Sequence, residues 1–238
     1  MKTYDTLLFD ADGTLLDFDR SEDEALKRSL QQFGLVYTPS ISRRYHEIND
    51  SLWKQFELGQ ITREQLQATR FATLLQELDS GESPIAFNLC YRQFLSESAH
   101  LIPGAISLCE TLYSCYTMAI VTNGIAQVQR SRLIHSGLGK LFKKVYISEE
   151  IGWQKPDKRF FEYVFSDMGI SNRSKVLLIG DSLTSDIQGG INAGVDTCWY
   201  SPISRQSSPA TYRVSNFHEL FMLLQGHSNL LPKGDSAI

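Results

Sequence analysis

Two short, continuously apolar segments of this chain run directly into aspartates. The first reads T-L-L-F and is followed by Asp10-Ala11-Asp12; the second reads V-L-L-I and is followed by Gly180-Asp181. An unbroken apolar run of this length predicts a strand that is buried on both faces, as in a parallel sheet. Because ligands of open parallel sheets bind at the carboxyl ends of the strands, these aspartates are candidate site residues.

Strand-like segments recur along the chain, and helical patterns separate the later ones. The predicted strands are Tyr4–Phe9, Thr117–Val121, Lys144–Ile147, Val176–Ile179 and Val195–Trp199. Strands that alternate with helices favour repeated right-handed βαβ units. We therefore predict an α/β fold with a doubly wound, mostly parallel, Rossmann-like sheet.

The segment 17–100 breaks this alternation. It contains no strand-like run and shows four helical patterns, the first of which opens with a predicted capping box, Ser21-x-x-Glu24. We predict an all-helical cap over residues 17–100 and an α/β core formed by residues 1–16 and 101–238. Because the insertion follows the carboxyl end of the first strand, it can act as a lid. The polar tail after Gln225 is expected to fray.

Composition and charge exclude several classes of protein. The 238 residues include 23 Lys and Arg against 27 Asp and Glu, a net charge of -4. A mildly acidic chain binds a phosphate backbone poorly, so no nucleic-acid partner is predicted. The absence of a run of about 18 apolar residues argues against a membrane partner. Since the first residues do not resemble a secretion signal, we expect a cytoplasmic protein, either a monomer or a small homo-oligomer.

A second pair of aspartates follows the fourth predicted strand. Asp181 comes directly after it and Asp186 five residues later, so up to four carboxylates could converge with those of Asp10 and Asp12. Close carboxylates repel one another unless a cation or a shared proton compensates them, and an oxygen-rich site suits Mg²⁺. The alternative is a helix start in which Asp181 or Ser182 is the cap and Asp186 complements the helix dipole.

The ends of two further strands carry groups that could bind an anion. Thr122-Asn123-Gly124 follows the second strand and offers a hydroxyl, an amide and backbone N–H groups, which together could cradle a phosphate. Lys155 precedes Pro156 after the third strand and could reach a phosphate as a point charge. A capped turn and a solvated loop lysine are the respective alternatives.

In combination, these strand ends resemble the four-motif signature of the haloacid dehalogenase superfamily, whose members are mostly Mg²⁺-dependent phosphatases. The matching residues, in chain order, are Asp10, Asp12 and Thr14, then Thr122, then Lys155, then Gly180, Asp181 and Asp186. The resemblance extends over nearly the whole chain and includes a helical cap between the first two motifs. It implies an enzyme that hydrolyses small-molecule phosphate monoesters.

The resemblance also implies a role for each matching residue. Asp10 would be the nucleophile that forms an aspartyl-phosphate, and Asp12 the general acid and then the base. Mg²⁺ would be held by Asp10, the Asp12 carbonyl oxygen and Asp181, with Asp186 as an additional or indirect ligand. The implied phosphate-binding residues are Thr122, Asn123, Gly124 and Lys155, the last also counted as catalytic.

The substrate class is expected to depend on the helical segment. Its string L-W-x-x-F-E-x-G-x-I-T resembles the bacterial pyrimidine 5′-nucleotidase branch of the superfamily, which implies nucleoside monophosphates as substrates. The candidate substrate residues there are Trp53, Phe56, Arg70 and Phe71, with packing inside the helical segment as the alternative for each aromatic. A phosphatase for another metabolite, such as a sugar phosphate, and a non-catalytic binding module on the same fold remain open.

Overall fold

The structure, a computed structural model, describes residues 4–202 and 207–226 of the chain. It divides into two compact units. The sheet unit consists of the described parts of residues 1–17, 101–126 and 136–238, and the helical unit consists of residues 18–100 and 127–135. The part of the tail after Gly226 that was expected to fray lies outside the described residues.

The sheet unit contains a six-stranded parallel sheet, which confirms the predicted fold class. The strands are β1 (Thr6–Phe9), β2 (Thr117–Thr122), β3 (Lys144–Ile147), β4 (Val176–Gly180), β5 (Asp196–Tyr200) and β6 (Tyr212–Val214). The first five coincide with the predicted strands to within two residues at each end. β6 was not predicted, because its three residues include no apolar run and only Val214 is buried.

The strand order β3-β2-β1-β4-β5-β6 puts β1 between β2 and β4. All four residues of β1 are buried, as the apolar run requires. Phe9, the last residue of β1, pairs with Ile120 of β2 and with Ile179 of β4. From β1 the strand order proceeds toward one edge of the sheet through β2 and β3, and from β4 it proceeds toward the other edge. Open α/β sheets bind their ligands at the point between two such strands.

Helices lie between most consecutive strands and after β6. In chain order they are α1 (Phe18–Gln32), α2 (Pro39–Glu57), α3 (Arg63–Glu77), α4 (Pro84–Glu97), α5 (Ala105–Tyr113), α6 (Ala126–His135), α7 (Ser148–Ile151), α8 (Lys158–Met168), α9 (Gln188–Ala193) and α10 (Phe217–Leu224). A π-helical turn, Leu183–Ile187, precedes α9. In the sheet unit, α8 packs Phe160, Phe161 and Val164 on a core that includes Leu8 and Val121.

Four inserted helices form most of the helical unit. α3 begins with a capping box in which Thr62 and Gln65 bond each other's backbone N–H. The predicted capping box at Ser21 is wrong, because α1 already begins at Phe18 and Ser21 is buried inside the helix. Ser21 was a plausible cap by residue type, but it is the fourth residue of the helix.

An aromatic cluster forms the interior of the helical unit. Tyr45 stacks on Phe71 with 4.9 Å between the ring centroids, and both rings contact Tyr91. Phe71 also contacts Phe87, with 4.8 Å between the centroids. These four side chains are fully buried, so the inserted helices have a hydrophobic core of their own.

Residues 127–135 group with the inserted helices, although in sequence they lie between β2 and β3. Arg132 of this segment is fully buried. Its guanidinium donates to the carbonyl oxygen of Ser98 at 3.0 Å and to the hydroxyl of Ser21 at 3.3 Å. One side chain thus contacts both the first and the last part of the 18–100 insertion.

Within the described ranges, no helix is both long and apolar enough to cross a membrane.

Replacing Phe71 with alanine should destabilise the helical unit by about 3–5 kcal/mol, because the substitution leaves a cavity among rings that pack on one another. Denaturant unfolding of the wild-type and variant chains measures the difference. Leu89→Ala, at a site in α4 that is 59% exposed, is the control and should change stability by less than about 0.5 kcal/mol. Equal effects of the two substitutions would contradict the assignment of Phe71 to the core.

Candidate active site

The register of the sheet brings the polar strand ends together. Asp10 follows β1, and its backbone N–H donates to the carbonyl oxygen of Ile179 at 2.8 Å, which extends the β1–β4 ladder by one residue. Asp181 follows β4, and Thr122 is the last residue of β2. Because β2, β1 and β4 are adjacent and parallel, their ends emerge at one edge of the sheet.

Three carboxylates and one ammonium group form the centre of the site. Ligand atoms of Asp10, Asp181 and Asp186 all lie within 4.8 Å of one another. The Lys155 Nζ donates to Asp10 Oδ1 at 2.6 Å, to Asp186 Oδ1 at 2.5 Å and to the carbonyl oxygen of Val121 at 2.8 Å. Lys155 is 1% exposed, so the solvated loop lysine considered above is excluded.

Two glycines allow the carboxylates to come this close. A Cβ added to Gly13 would lie 2.4 Å from Asp181 Oδ2, and one added to Gly180 would lie 2.3 Å from the Asp186 carboxylate. Gly13 also has a φ of 75°, a left-handed conformation that favours glycine. Glycine at positions 13 and 180 is therefore required by the close packing of the Asp181 and Asp186 carboxylates.

Further hydrogen bonds hold the two acidic residues that follow β4. The Thr14 hydroxyl donates to Asp181 Oδ1 at 3.1 Å, and the backbone N–H of Ser182 donates to Asp186 Oδ2 at 3.1 Å. Ser182 also caps the turn that follows, since its hydroxyl accepts from the Ser185 N–H at 3.2 Å. The helix-start interpretation of Ser182 is therefore right, and Asp186 is in addition part of the acidic cluster.

Asn123 holds the backbone of Lys155. Its amide donates to the Lys155 carbonyl oxygen at 2.9 Å, and its Oδ1 accepts from the Lys155 N–H at 2.9 Å. Both ends of the amide are used, and Asn123 is buried. These contacts make Asn123 a positioning group for the backbone of Lys155, and phosphate binding by its side chain stays a prediction.

Thr122 and Gly124 form a capped turn at the end of β2. The Thr122 hydroxyl accepts from the Gly124 N–H at 3.1 Å, and Thr122 is 2% exposed. The hydroxyl is thereby oriented at the same sheet edge as Asp10. The segment therefore forms the capped turn that was considered as an alternative, and it also places a polar strand end at the same edge of the sheet as the carboxylates.

Asp12 lies outside the group of three clustered aspartates. It is partly exposed, and its backbone forms a bridge with Leu16. Within the described part of the chain, the group of three close carboxylates comprises Asp10, Asp181 and Asp186. The convergence of four carboxylates predicted from the sequence is thus observed for three.

Burial and charge shift the pKa values of these groups. Desolvation raises the pKa of Asp10 well above its usual range, and although Lys155 lowers it, the neighbouring Asp186 and Asp181 raise it further. Desolvation, and next the Asp186 carboxylate, raise the pKa of Asp181 to about 8. Burial alone would lower the pKa of Lys155, but the carboxylates of Asp10 and Asp186 outweigh it and raise it. The cluster is therefore short of positive charge.

The four candidate substrate residues lie in the helical unit, and three of them are buried there. Arg70 is 1% exposed, with its guanidinium Nη2 2.6 Å from Asn88 Oδ1, and Phe71 lies in the aromatic cluster. Phe56 is 4% exposed and contacts Trp53 edge to face. Only Trp53 of the four keeps a partly exposed side chain. For Arg70, Phe56 and Phe71, packing inside the helical unit accounts for the side chains.

Sequence reasoning missed one contact at the site. Trp199 of β5 donates its indole N–H to the main-chain carbonyl oxygen of Asp181, with 2.8 Å between nitrogen and oxygen. Trp199 was predicted only as the end of a strand. No local pattern identifies it, because its partner is 18 residues away in the chain.

The chemistry of these groups fits a hard divalent cation. Three ionised carboxylates against one ammonium leave two negative charges uncompensated, and carboxylate oxygens are the ligands that Mg²⁺ prefers. Asp10 lies against Lys155, which orients its carboxylate and favours the ionised form. A carboxylate held beside a cationic group at a sheet edge can act as a nucleophile toward an anionic substrate.

Comparisons with known proteins agree with this geometry. A family model described as haloacid dehalogenase-like hydrolase matches residues 7–200. The crystal structure of the HAD-hydrolase YfnB from Bacillus subtilis bound to magnesium is similar, with a TM-score of 0.89 and 40% identity over 94% of this chain and 99% of that one.

Two curated relatives carry the name pyrimidine 5′-nucleotidase. PynA of Streptococcus pneumoniae strain R6 is 38% identical over 97% of this chain and 98% of its own length. YjjG of Escherichia coli strain K12 is 36% identical over 94% of this chain and 99% of its own length.

The raised pKa of Asp181 predicts a pH-dependent stability of the metal-free protein. Protonation of this carboxyl is favoured in the folded state, so its stabilising effect is full below the usual value of 3.8 and is lost as the pH rises through about 8. We expect the free energy of unfolding of wild type, relative to Asp181→Asn, to fall over this range. Denaturant unfolding in excess EDTA at a series of pH values measures it, and a difference independent of pH would contradict the raised pKa.

Proposed function

The chain belongs to the haloacid dehalogenase-like hydrolase family, and from this premise we propose that it is a Mg²⁺-dependent phosphatase that works through an aspartyl-phosphate. Of the possible substrates, pyrimidine nucleoside monophosphates are the class we propose. The observation that carries the proposal is the position of Asp10, which directly follows β1 and lies beside a buried lysine and two further carboxylates.

The metal would be held by Asp10 and Asp181, with the carbonyl oxygen of Asp12, and Asp186 would contribute directly or through its contact with Lys155. When bound, Mg²⁺ would neutralise the charge of the carboxylates and of a phosphate that approaches them. A divalent cation matches the two uncompensated charges of the cluster, and the similar YfnB structure is described as bound to magnesium.

In the first step, a carboxylate oxygen of Asp10 attacks the phosphorus atom of the monoester. A bond forms between that oxygen and phosphorus, while the ester P–O bond breaks and its electron pair stays on the leaving oxygen. Asp12 donates a proton to this oxygen, so that the product leaves as an alcohol. Asp12 suits this part because it is partly exposed and lies two residues after the nucleophile. General acid help of this kind contributes a factor of about 10²–10⁴.

In the second step, water hydrolyses the aspartyl-phosphate. Asp12, now ionised, takes a proton from the water, whose oxygen attacks phosphorus. The bond between phosphorus and the Asp10 oxygen breaks, which releases inorganic phosphate and restores the Asp10 carboxylate. The same residue therefore acts as acid and then as base, and no other reactant is needed.

Lys155 and the β2 end would bind the transferring phosphoryl group. Lys155 stays protonated because two carboxylates raise its pKa, so it can stabilise negative charge on the phosphoryl oxygens. The Thr122 hydroxyl and the backbone around Gly124 lie at the same edge and would donate to these oxygens. Asn123 would act indirectly, by holding the backbone of Lys155.

The substrate class rests on the relatives and on one residue of the helical unit. Two relatives named pyrimidine 5′-nucleotidase match this chain over nearly their full length. Trp53 is partly exposed and is the candidate for stacking on a base. A phosphatase for sugar phosphates is the second candidate, because the sheet-unit residues act on any monoester.

Asp10→Asn should reduce phosphatase activity at least about a thousandfold, because the amide is not a competent nucleophile. Activity should also disappear in EDTA and return with added Mg²⁺. Initial rates of phosphate release measure both effects. The matched control is Asp5→Asn, at the opposite end of β1 and 71% exposed at its side chain, which should keep wild-type rates. Full activity in Asp10→Asn would exclude the covalent step.

The substrate proposal predicts higher kcat/KM for UMP, dUMP and dTMP than for sugar phosphates such as glucose 6-phosphate. Steady-state kinetics on one preparation, with the Asp10→Asn protein as the blank for contaminating phosphatases, measure the ratio. A hundredfold preference for a sugar phosphate would exclude the nucleotide class. No turnover of any monoester, in a preparation that binds Mg²⁺, would favour the non-catalytic binding module.

A further inference from the structure

Trp199 of β5 lies beside Gly180, the last residue of β4, which directly precedes Asp181. In the β4–β5 ladder, Trp199 pairs with Gly180, the last residue of β4. Beyond that pair, the chain of β4 leaves the ladder, and the carbonyl oxygen of Asp181 accepts from a side chain, the Trp199 indole, at 2.8 Å. The indole therefore holds the main chain at the point where the strand ends and the acidic residue begins.

Trp199 also shares a buried apolar cluster with the turn that carries Asp186. Trp199 is 5% exposed and belongs to a small buried cluster with Ile187 and Ala210, against which Leu183 packs. Leu183 and Ile187 are the first and last residues of the π-helical turn that contains Asp186. One side chain thus bonds the backbone of one clustered acid and belongs to the buried apolar cluster on which the turn bearing the other acid packs.

The two ends of Asp181 are held by different partners. Its carboxylate accepts from the Thr14 hydroxyl and rests against Gly13, while its carbonyl oxygen accepts from Trp199. Fixing the backbone as well as the carboxylate limits rotation of the residue as a whole. Groups that orient metal ligands in this way typically change metal affinity 10- to 100-fold when they are removed.

We propose that Trp199 is a positioning residue for the metal site, acting through its indole N–H on Asp181. The inference rests on the proposed function, since it assumes that Asp181 ligates a divalent cation. A purely structural tryptophan would contribute packing and stability, and its N–H could be removed without any effect on metal affinity. The two roles therefore differ in a quantity that can be measured without substrate.

The experiment compares two replacements of Trp199. Trp199→Phe removes the N–H and part of the ring. Incorporation of 3-benzothienylalanine at position 199 replaces the N–H with sulfur and keeps a bicyclic ring of nearly the same shape. Isothermal titration of each metal-free, substrate-free protein with MgCl₂ gives the Kd, and thermal unfolding without Mg²⁺ gives the stability.

We expect the Kd for Mg²⁺ to rise about tenfold in both variants, with the benzothienyl protein unfolding close to the wild-type temperature. Tyr200→Phe is the matched control, because it removes one hydroxyl from the next buried residue of β5, on the opposite face of the sheet. It should leave the Kd unchanged.

Each outcome decides between the roles. Wild-type Mg²⁺ affinity in the benzothienyl variant would overturn the inference, whether or not Trp199→Phe binds more weakly, because the effect would then belong to the ring. That result leaves the proposed function intact. If the wild-type protein itself does not bind Mg²⁺, the proposed function fails, and the inference fails with it.

Discussion

The site depends on the ion pairs and the hydrogen bond that the Lys155 ammonium group makes. This group is buried, and it donates to two carboxylates and to a main-chain carbonyl oxygen of β2. Taking an ammonium group and carboxylates out of water costs several kcal/mol per ion unless their partners compensate. The charged groups that follow β1, β3 and β4 therefore stabilise one another, and the loss of Lys155 would leave the carboxylates of Asp10 and Asp186 without their ammonium partner.

The electrostatics of the cluster explain why it suits a divalent cation. Lys155 compensates only one of the three carboxylates, and desolvation together with the neighbouring carboxylates raises the pKa values of Asp10 and Asp181. In the proposed function, the remaining shortage of positive charge is what attracts the metal. A structure built only for stability would replace such a cluster with apolar side chains, since buried charges seldom stabilise a fold. The proposed function would explain why the chain keeps these buried charges at this edge of the sheet despite their cost in stability.

The residues with proposed roles are divided between the two units. The core residues proposed to act on the phosphate lie on the sheet unit, at the ends of adjacent strands. The helical unit has its own aromatic interior, in which Phe71 and Arg70 are buried. An aromatic and an arginine close together in sequence suggested a base-binding surface, but the same residue types also build a helical core with a buried hydrogen-bonded guanidinium. Their placement in α3, not their identity, decided between the two.

The sequence by itself determined the parallel sheet and the residues at its edge. Continuous apolar runs such as Thr6–Phe9 favour strands buried on both faces, and the polar residues that follow a strand must emerge at its end. Tertiary structure decided what those residues contact. Asn123 turned out to hold the Lys155 backbone, and Trp199 the backbone of Asp181. Such contacts join residues distant in the chain, and their partners are set by strand order and register, which no local pattern encodes.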